Sequence, residues 1–129
     1  MWKITAIVIV FALLAFGIIF FFRGSEDDWI KDERGVWIKH GVPDSKPAKV
    51  LVQEAAINAA LQLFQEKKLE MNFSSQCLGV VQMYAVDIVH VPRTVDDDKQ
   101  ENQCDDYRLG IVDKFIELDK DGNVVRVKD

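Results

Sequence analysis

The first apolar stretch of the chain runs without a charged residue from Ile4 to Phe22. A helix of this length spans roughly 28 Å, which is close to the hydrocarbon thickness of a bilayer. A small domain cannot enclose a helix that is apolar on every side. We therefore predict that residues 1–23 form a transmembrane anchor in the lipid bilayer. Because bulky phenylalanines precede Arg23, where signal peptidase needs small residues, we expect an uncleaved signal anchor.

The pattern beyond the anchor predicts a polar linker at residues 24–34 and one soluble domain at residues 35–129. Its longest helix is predicted from Ala48 to about Leu69, where apolar side chains recur at helical spacing. Pro47 suits the first turn of that helix, because a proline there loses no needed hydrogen-bond donor. The helix is long enough to cover one face of a small sheet.

Segments rich in β-branched and aromatic residues predict the strands of this domain. A short strand is expected within residues 35–41, two long strands at 80–91 and 107–118, and a last strand at 124–127 after a turn at 119–123. The predicted fold class is therefore α+β. One long helix packs on a curved antiparallel sheet in the order β-α-β-β-β.

This order of elements resembles the cystatin-like roll. The resemblance is one of topology, covers the soluble part of the chain, and rests on no motif. Cystatin inhibitors place a Gln-x-Val-x-Gly turn between their central strands, whereas this chain has Pro92 to Asp98 in that place. The resemblance therefore implies the fold alone, and protease inhibition is not expected.

Charge predicts the side of the membrane and excludes one class of partner. Lys3 precedes the uncharged run, whereas Arg23 after it is followed closely by three acidic residues. The positive-inside tendency therefore predicts a cytoplasmic N-terminus and an extracytoplasmic domain. Without Lys3 and Arg23, 14 basic residues remain against 21 acidic ones, a net charge near −7. Such a surface repels nucleic acid, so no nucleic-acid partner is expected.

Two further features agree with an exported domain. Cys77 and Cys104 are an even pair in a small domain, which predicts a disulfide. An intramolecular bridge requires the loop from Pro92 to Gln103 to run back along the sheet, so intermolecular bridges or two free thiols are alternatives. Asn72 begins an Asn-Phe-Ser triplet and is a glycosylation candidate.

The predicted strand at 107–118 carries apolar residues on both faces. One helix covers only one face of a sheet. The other face then needs the first segment of the domain, a second copy of the chain or another protein. The candidate interaction residues are Leu109, Ile111, Phe115 and Trp37.

No motif of catalytic or metal-ligand spacing is present in the sequence. We therefore expect no catalytic residue, metal or cofactor, and a membrane-anchored, non-enzymatic interaction or accessory domain. Its partner is expected to be another membrane or envelope protein, or a second copy. One alternative is a small thiol- or carboxylate-dependent enzyme that uses Cys77, Cys104, Asp87, His40 and His90. Another is weak calcium binding by the acidic residues that precede the last long strand.

Overall fold

The structure, a computed structural model, describes residues 7–9, 11–15, 17–18, 27–69 and 75–129. Most of the predicted anchor, the start of the linker and Asn72 lie outside the described residues. The described residues at positions 7–18 are helical. Within the described part of the chain, no helix has the length and apolar character needed to cross a membrane.

The described residues form two compact units. One takes in those up to Ile30 together with Lys39–Ser45, and the other consists of Lys31–Ile38 and Lys46–Asp129. Strands β1 (Asp28–Lys31) and β2 (Trp37–His40) form a two-stranded sheet. β2 falls within the predicted strand at 35–41, and β1 lies in the stretch that was predicted to be a linker. In the first unit, Trp29 Nε1 donates to the Ser45 carbonyl at 3.0 Å.

The long helix α1 spans Ala48–Leu69, as the apolar spacing predicts. Its fully buried face includes Ala56, Ala60 and Phe64, which pack against one face of a four-stranded sheet. The alanines let the helix approach the sheet closely. Gln53 is also buried on this helix. Its side chain accepts from the Trp37 N–H at 2.8 Å and donates to the Gly35 carbonyl at 2.9 Å, so its polar atoms are satisfied.

The sheet is mixed, which corrects the prediction of an antiparallel sheet. Its strands are β3 (Cys77–Val81), β4 (Tyr84–Ile88), β5 (Lys114–Leu118) and β6 (Val124–Lys128). They lie in the order β3-β4-β5-β6. The two outer pairs are antiparallel and the central pair is parallel. The described elements therefore do not follow the β-α-β-β-β order of a cystatin-like roll.

The predicted strand at 80–91 is wrong because a tight turn divides it. Gln82 and Met83 both have positive φ, at 46° and 68°, and connect β3 to β4 as a two-residue hairpin loop. Positive φ at both central residues is the pattern of a type I′ turn, which asparagine and glycine normally occupy. Gln-Met carries no such signal, so the apolar residues on either side of it resemble one continuous strand.

The predicted strand at 107–118 is wrong in its first half. Residues 105–108 form a short helix, α2 (Asp105–Arg108), and the chain turns at Gly110, where φ is +72°. Only the second half is strand. The segment 89–113, which we call the crossover, connects the parallel strands β4 and β5. Parallel neighbours require such a connection, whereas a hairpin does not.

The crossover covers the sheet face opposite to α1. Cys104 and Val112 from the crossover pack against Ala85 and Phe115, which alternate along their strands with the residues that face the helix. The second apolar face is thus covered by this chain itself. Neither the first segment nor a second copy is needed for that purpose.

Candidate functional site

The centre of the site is a disulfide between Cys77 and Cys104, with their Cα atoms 4.8 Å apart. The predicted pairing is confirmed, and it is intramolecular. Cys104 can reach Cys77 because the strands are short and the crossover folds back over the sheet. Cys104 is 1% exposed, whereas Cys77, at the start of β3, is half-buried. The two sulfur atoms therefore belong to residues that differ in their access to solvent.

Asp87 lies directly beside the buried half of the disulfide. It is the cross-strand neighbour of Cys77, is 4% exposed, and has its Oδ1 atom 3.2 Å from Cys104 Sγ. Burial raises the pKa of Asp87 to about 6, and the negative charge of Glu117 acts in the same direction. The backbone N–H of Cys104 and the charge of Arg93 act in the opposite direction and are outweighed.

Glu117 is the neighbour of Asp87 on β5 and is equally buried. Two guanidinium groups hold its carboxylate. Arg93 donates to the two oxygens at 3.0 and 3.1 Å, and Arg126 donates to both at 2.9 Å. The hydrogen bond to Glu117 is the main reason that the pKa of Arg93 is raised. Fork-shaped pairs of this kind fix geometry as well as charge, so they attach the crossover and β6 to the centre of the sheet.

A second buried carboxylate organises the start of the crossover. Asp97 is 1% exposed and accepts hydrogen bonds from the Thr94 N–H at 2.7 Å, Thr94 Oγ1 at 3.0 Å and His90 Nδ1 at 2.9 Å. Burial raises the pKa of Asp97, but these hydrogen bonds outweigh it and lower the pKa to about 2. Asp97 therefore acts as an ionised anchor for the loop.

The Asp97–His90 pair has the geometry of a carboxylate that orients an imidazole. The His90 ring borders a cleft of about 440 Å³ that Ser75 and Lys120 also line. Among the residues that the structure describes, no serine or cysteine hydrogen-bonds His90, and both sulfur atoms are in the disulfide. The Thr94 hydroxyl lies 3.4 Å from His90 Nδ1 and also donates to Asp97, so it belongs to the hydrogen-bond network of the loop. His40 lies at the end of β2 in the other unit.

Several acidic residues of the crossover are paired with basic residues. Asp96 contacts Lys99 at 2.6 Å, and Asp98 contacts Arg93 at 2.8 Å. Within the described ranges, the only group of three metal-type ligands is Cys77, Asp87 and Cys104, whose ligand atoms lie within 4.8 Å of one another. Because the two sulfurs are bonded to each other, this group is not a thiolate metal site.

The four predicted interaction residues occupy different environments. Leu109 and Ile111 are 70% and 62% exposed on either side of Gly110. Phe115 is buried, with its ring 5.3 Å from that of Tyr107. Trp37 is half-buried, with the Lys49 ammonium 4.1 Å from its ring centroid. Only Leu109 and Ile111 are available together to a partner.

Sequence reasoning missed the ion pairs of Glu117 and the anchoring role of Asp97. Asp87 and Glu117 are charged residues within apolar strands, which is a visible signal, but their register depends on the parallel pairing. For Asp97 the signal is the Thr94-x-x-Asp97 spacing of a capping box. Comparison of the chain with protein families, curated proteins and solved structures finds no match.

Proposed function

We propose that this chain is a membrane-anchored, non-enzymatic interaction domain exposed outside the cytoplasmic membrane. The observation that carries the proposal is the exposed aliphatic pair Leu109 and Ile111 on the crossover. Both side chains stand on a segment that the disulfide holds against the sheet, so the pair is presented in a defined position. Preorganisation of this kind reduces the entropy that binding costs.

The proposed location has two supports. The disulfide is of the kind that forms and persists in oxidising compartments, and it is rare in reducing ones. The uncharged run from Ile4 to Phe22 has the length of a membrane anchor. Together these features favour a domain held at the outer side of the cytoplasmic membrane.

The charge around the aliphatic pair limits the chemistry of the partner. Arg108 and Asp113 are exposed on either side of Leu109 and Ile111 along the chain, and Arg108 pairs with Asp105. The soluble part of the chain is near −7 overall, so a second copy would bring like charges together. The proposed partner is therefore another membrane or envelope protein that offers an apolar spot to this pair.

The interaction is tested by crosslinking and affinity capture of the full-length chain from its native membranes. The double variant Leu109→Ser/Ile111→Ser should lose the crosslinked partner, whereas Leu69→Ser should retain it. Leu69 is the matched control because it is also a highly exposed leucine, at the end of α1. Equal capture by all three proteins, or a wild-type chain that is a monodisperse monomer without a partner, would contradict the proposal.

The location is tested separately by thiol labelling in intact native membranes, with mass spectrometry before and after reduction. Labelling of Cys77 and Cys104 only after reduction is expected in an oxidising compartment. Free labelling of both without reductant would place the domain in a reducing compartment and would refute the proposed orientation.

A further inference from the structure

The two cysteines of the disulfide have different surroundings. Cys104 is buried between the crossover and the sheet, whereas Cys77 borders a cleft of about 470 Å³. Thiol–disulfide exchange needs access to one sulfur and a leaving group on the other. In this arrangement an incoming thiolate reaches Cys77, and Cys104 is the leaving sulfur.

The leaving sulfur has a carboxyl group against it. Asp87 Oδ1 lies 3.2 Å from Cys104 Sγ, close enough for direct proton transfer once that sulfur is released as a thiolate. Burying a carboxyl group is costly, and the apolar packing of the strands does not require one at this position. We propose that Cys77–Cys104 is a thiol–disulfide exchange site in which Asp87 carries the proton of Cys104. This inference goes beyond the interaction role and does not depend on it.

The reductant in the proposed step is a dithiol. One of its thiolates attacks Cys77 Sγ, the bond between the two cysteines breaks, and its electron pair leaves with Cys104 Sγ. The protonated carboxyl group of Asp87 gives its proton to that thiolate. The second thiolate of the reductant then attacks the reductant's own sulfur in the mixed disulfide, which releases Cys77 as a thiolate that takes a proton from water. The dithiol becomes a disulfide and the protein gains two thiols.

Closure of the bond uses the same groups in reverse. The Cys77 thiolate first attacks one sulfur of a disulfide-bearing oxidant, the oxidant's disulfide bond breaks, and the oxidant's other sulfur leaves as a thiolate. The Asp87 carboxylate takes the proton of the Cys104 thiol, and the resulting thiolate attacks Cys77 Sγ. The oxidant's sulfur that was bound to Cys77 then leaves as a thiolate, so two electrons pass from the protein to the oxidant.

The charged groups around Asp87 come from each element that packs against it. β5 contributes Glu117, the crossover contributes Arg93, and β6 contributes Arg126 through its hydrogen bonds to Glu117. β3 contributes the uncharged Cys77. Burial is the largest influence and keeps the pKa of Asp87 at about 6. Near neutral pH both protonation states are therefore accessible, as a proton carrier requires.

The cleft beside Cys77 predicts which thiols react fastest. Glu101, Asp105 and Asp106 line it, so an anionic thiol meets like charge on approach. Neutral and cationic thiols meet no such repulsion. We therefore expect cysteamine to react faster per thiolate than mercaptoethanesulfonate, with a difference that shrinks as salt is added.

The site of attack is tested on the full-length wild-type chain in a mild nonionic detergent. A short treatment with dithiothreitol is followed by acid quenching, alkylation and mass spectrometry. A mixed disulfide on Cys77, with the Cys104 thiol free to be alkylated, is the expected intermediate. Reduction that begins only in denaturant, or a mixed disulfide found on Cys104, would overturn the proposal.

The role of Asp87 is tested by the pH profile of the reduction rate, divided by the concentration of dithiothreitol thiolate. For a carboxyl pKa of about 6, the protonated fraction is about 30-fold greater at pH 5 than at pH 7.5, so the corrected wild-type rate should rise by about that factor. Asp87→Asn should remove the inflection, whereas Asp113→Asn, which changes an exposed carboxylate, should keep it. If wild type and Asp87→Asn share one profile, Asp87 carries no proton.

Discussion

Removal of the disulfide tests how the crossover is held on the sheet. The double variant Cys77→Ala/Cys104→Ala lacks the cross-link. The two cysteines are 27 positions apart, for which the loop-entropy relation gives about 3.5 kcal/mol at 25 °C. Cys104 is also buried against Ala85 and Val112, so loss of its sulfur removes packing as well. We therefore expect the free energy of unfolding to fall by at least about 3 kcal/mol.

The assay is urea denaturation of the full-length chain in nonionic detergent, monitored by circular dichroism at pH 7. Wild type treated with a reductant is the matched control, because it loses the cross-link without any substitution. Reduced wild type keeps both sulfur atoms, so it should lose about 3.5 kcal/mol and the double variant somewhat more. A loss below about 1 kcal/mol in both would refute the reasoning, because the unfolded chain would then gain little freedom when the bridge is removed.

Three further predictions concern single residues, each measured by chemical or thermal unfolding. The free energy of unfolding of wild type should fall as pH rises from about 4 to about 6, because folding raises the pKa of Asp87 from 3.8 to about 6. The fall should be roughly 3 kcal/mol at most, and Asp87→Asn should lack it. Glu117→Gln should lower the free energy of unfolding by about 2 kcal/mol. This is less than the loss expected on breaking a fully buried ion pair, because its two guanidinium partners are one third and one half exposed. Gly122→Ala should lower the free energy of unfolding by about 1–2 kcal/mol, since φ is +85° and a Cβ would stand 2.8 Å from the Phe64 ring. An unchanged melting temperature would contradict this.

The sequence predicts the helix well and the strands less well, for a physical reason. The bounds of α1 follow from local spacing and from Pro47, and both are visible in the chain itself. The division of the first long strand depends on Gln82 and Met83, which adopt positive φ because the hairpin requires it, and no residue preference predicts that. In residues 107–113, alternating apolar residues resemble a strand, although Val112 is buried against the sheet and Ile111 is exposed.

The site was predictable in its parts and not in its arrangement. Two cysteines in a small domain indicate a bridge, and Asp87 is conspicuous among apolar neighbours. That Asp87 meets both Cys104 and Glu117 depends on the parallel pairing of β4 and β5 and on the path of the crossover. Both are contacts between segments far apart in the chain, which spacing patterns do not report.

The parallel pairing of β4 and β5 also determines the order in which the sheet can assemble. Val81 and Tyr84, which face each other in the first hairpin, are 3 positions apart, whereas Tyr84 and Lys114 are 30 positions apart. The entropy lost on closing a loop grows with its length, so each hairpin closes before the two hairpins join. Until then the inner edges of both hairpins are open to pairing with another chain. The joining of the hairpins is thus the step of biosynthesis at which a newly made chain most needs protection from its neighbours.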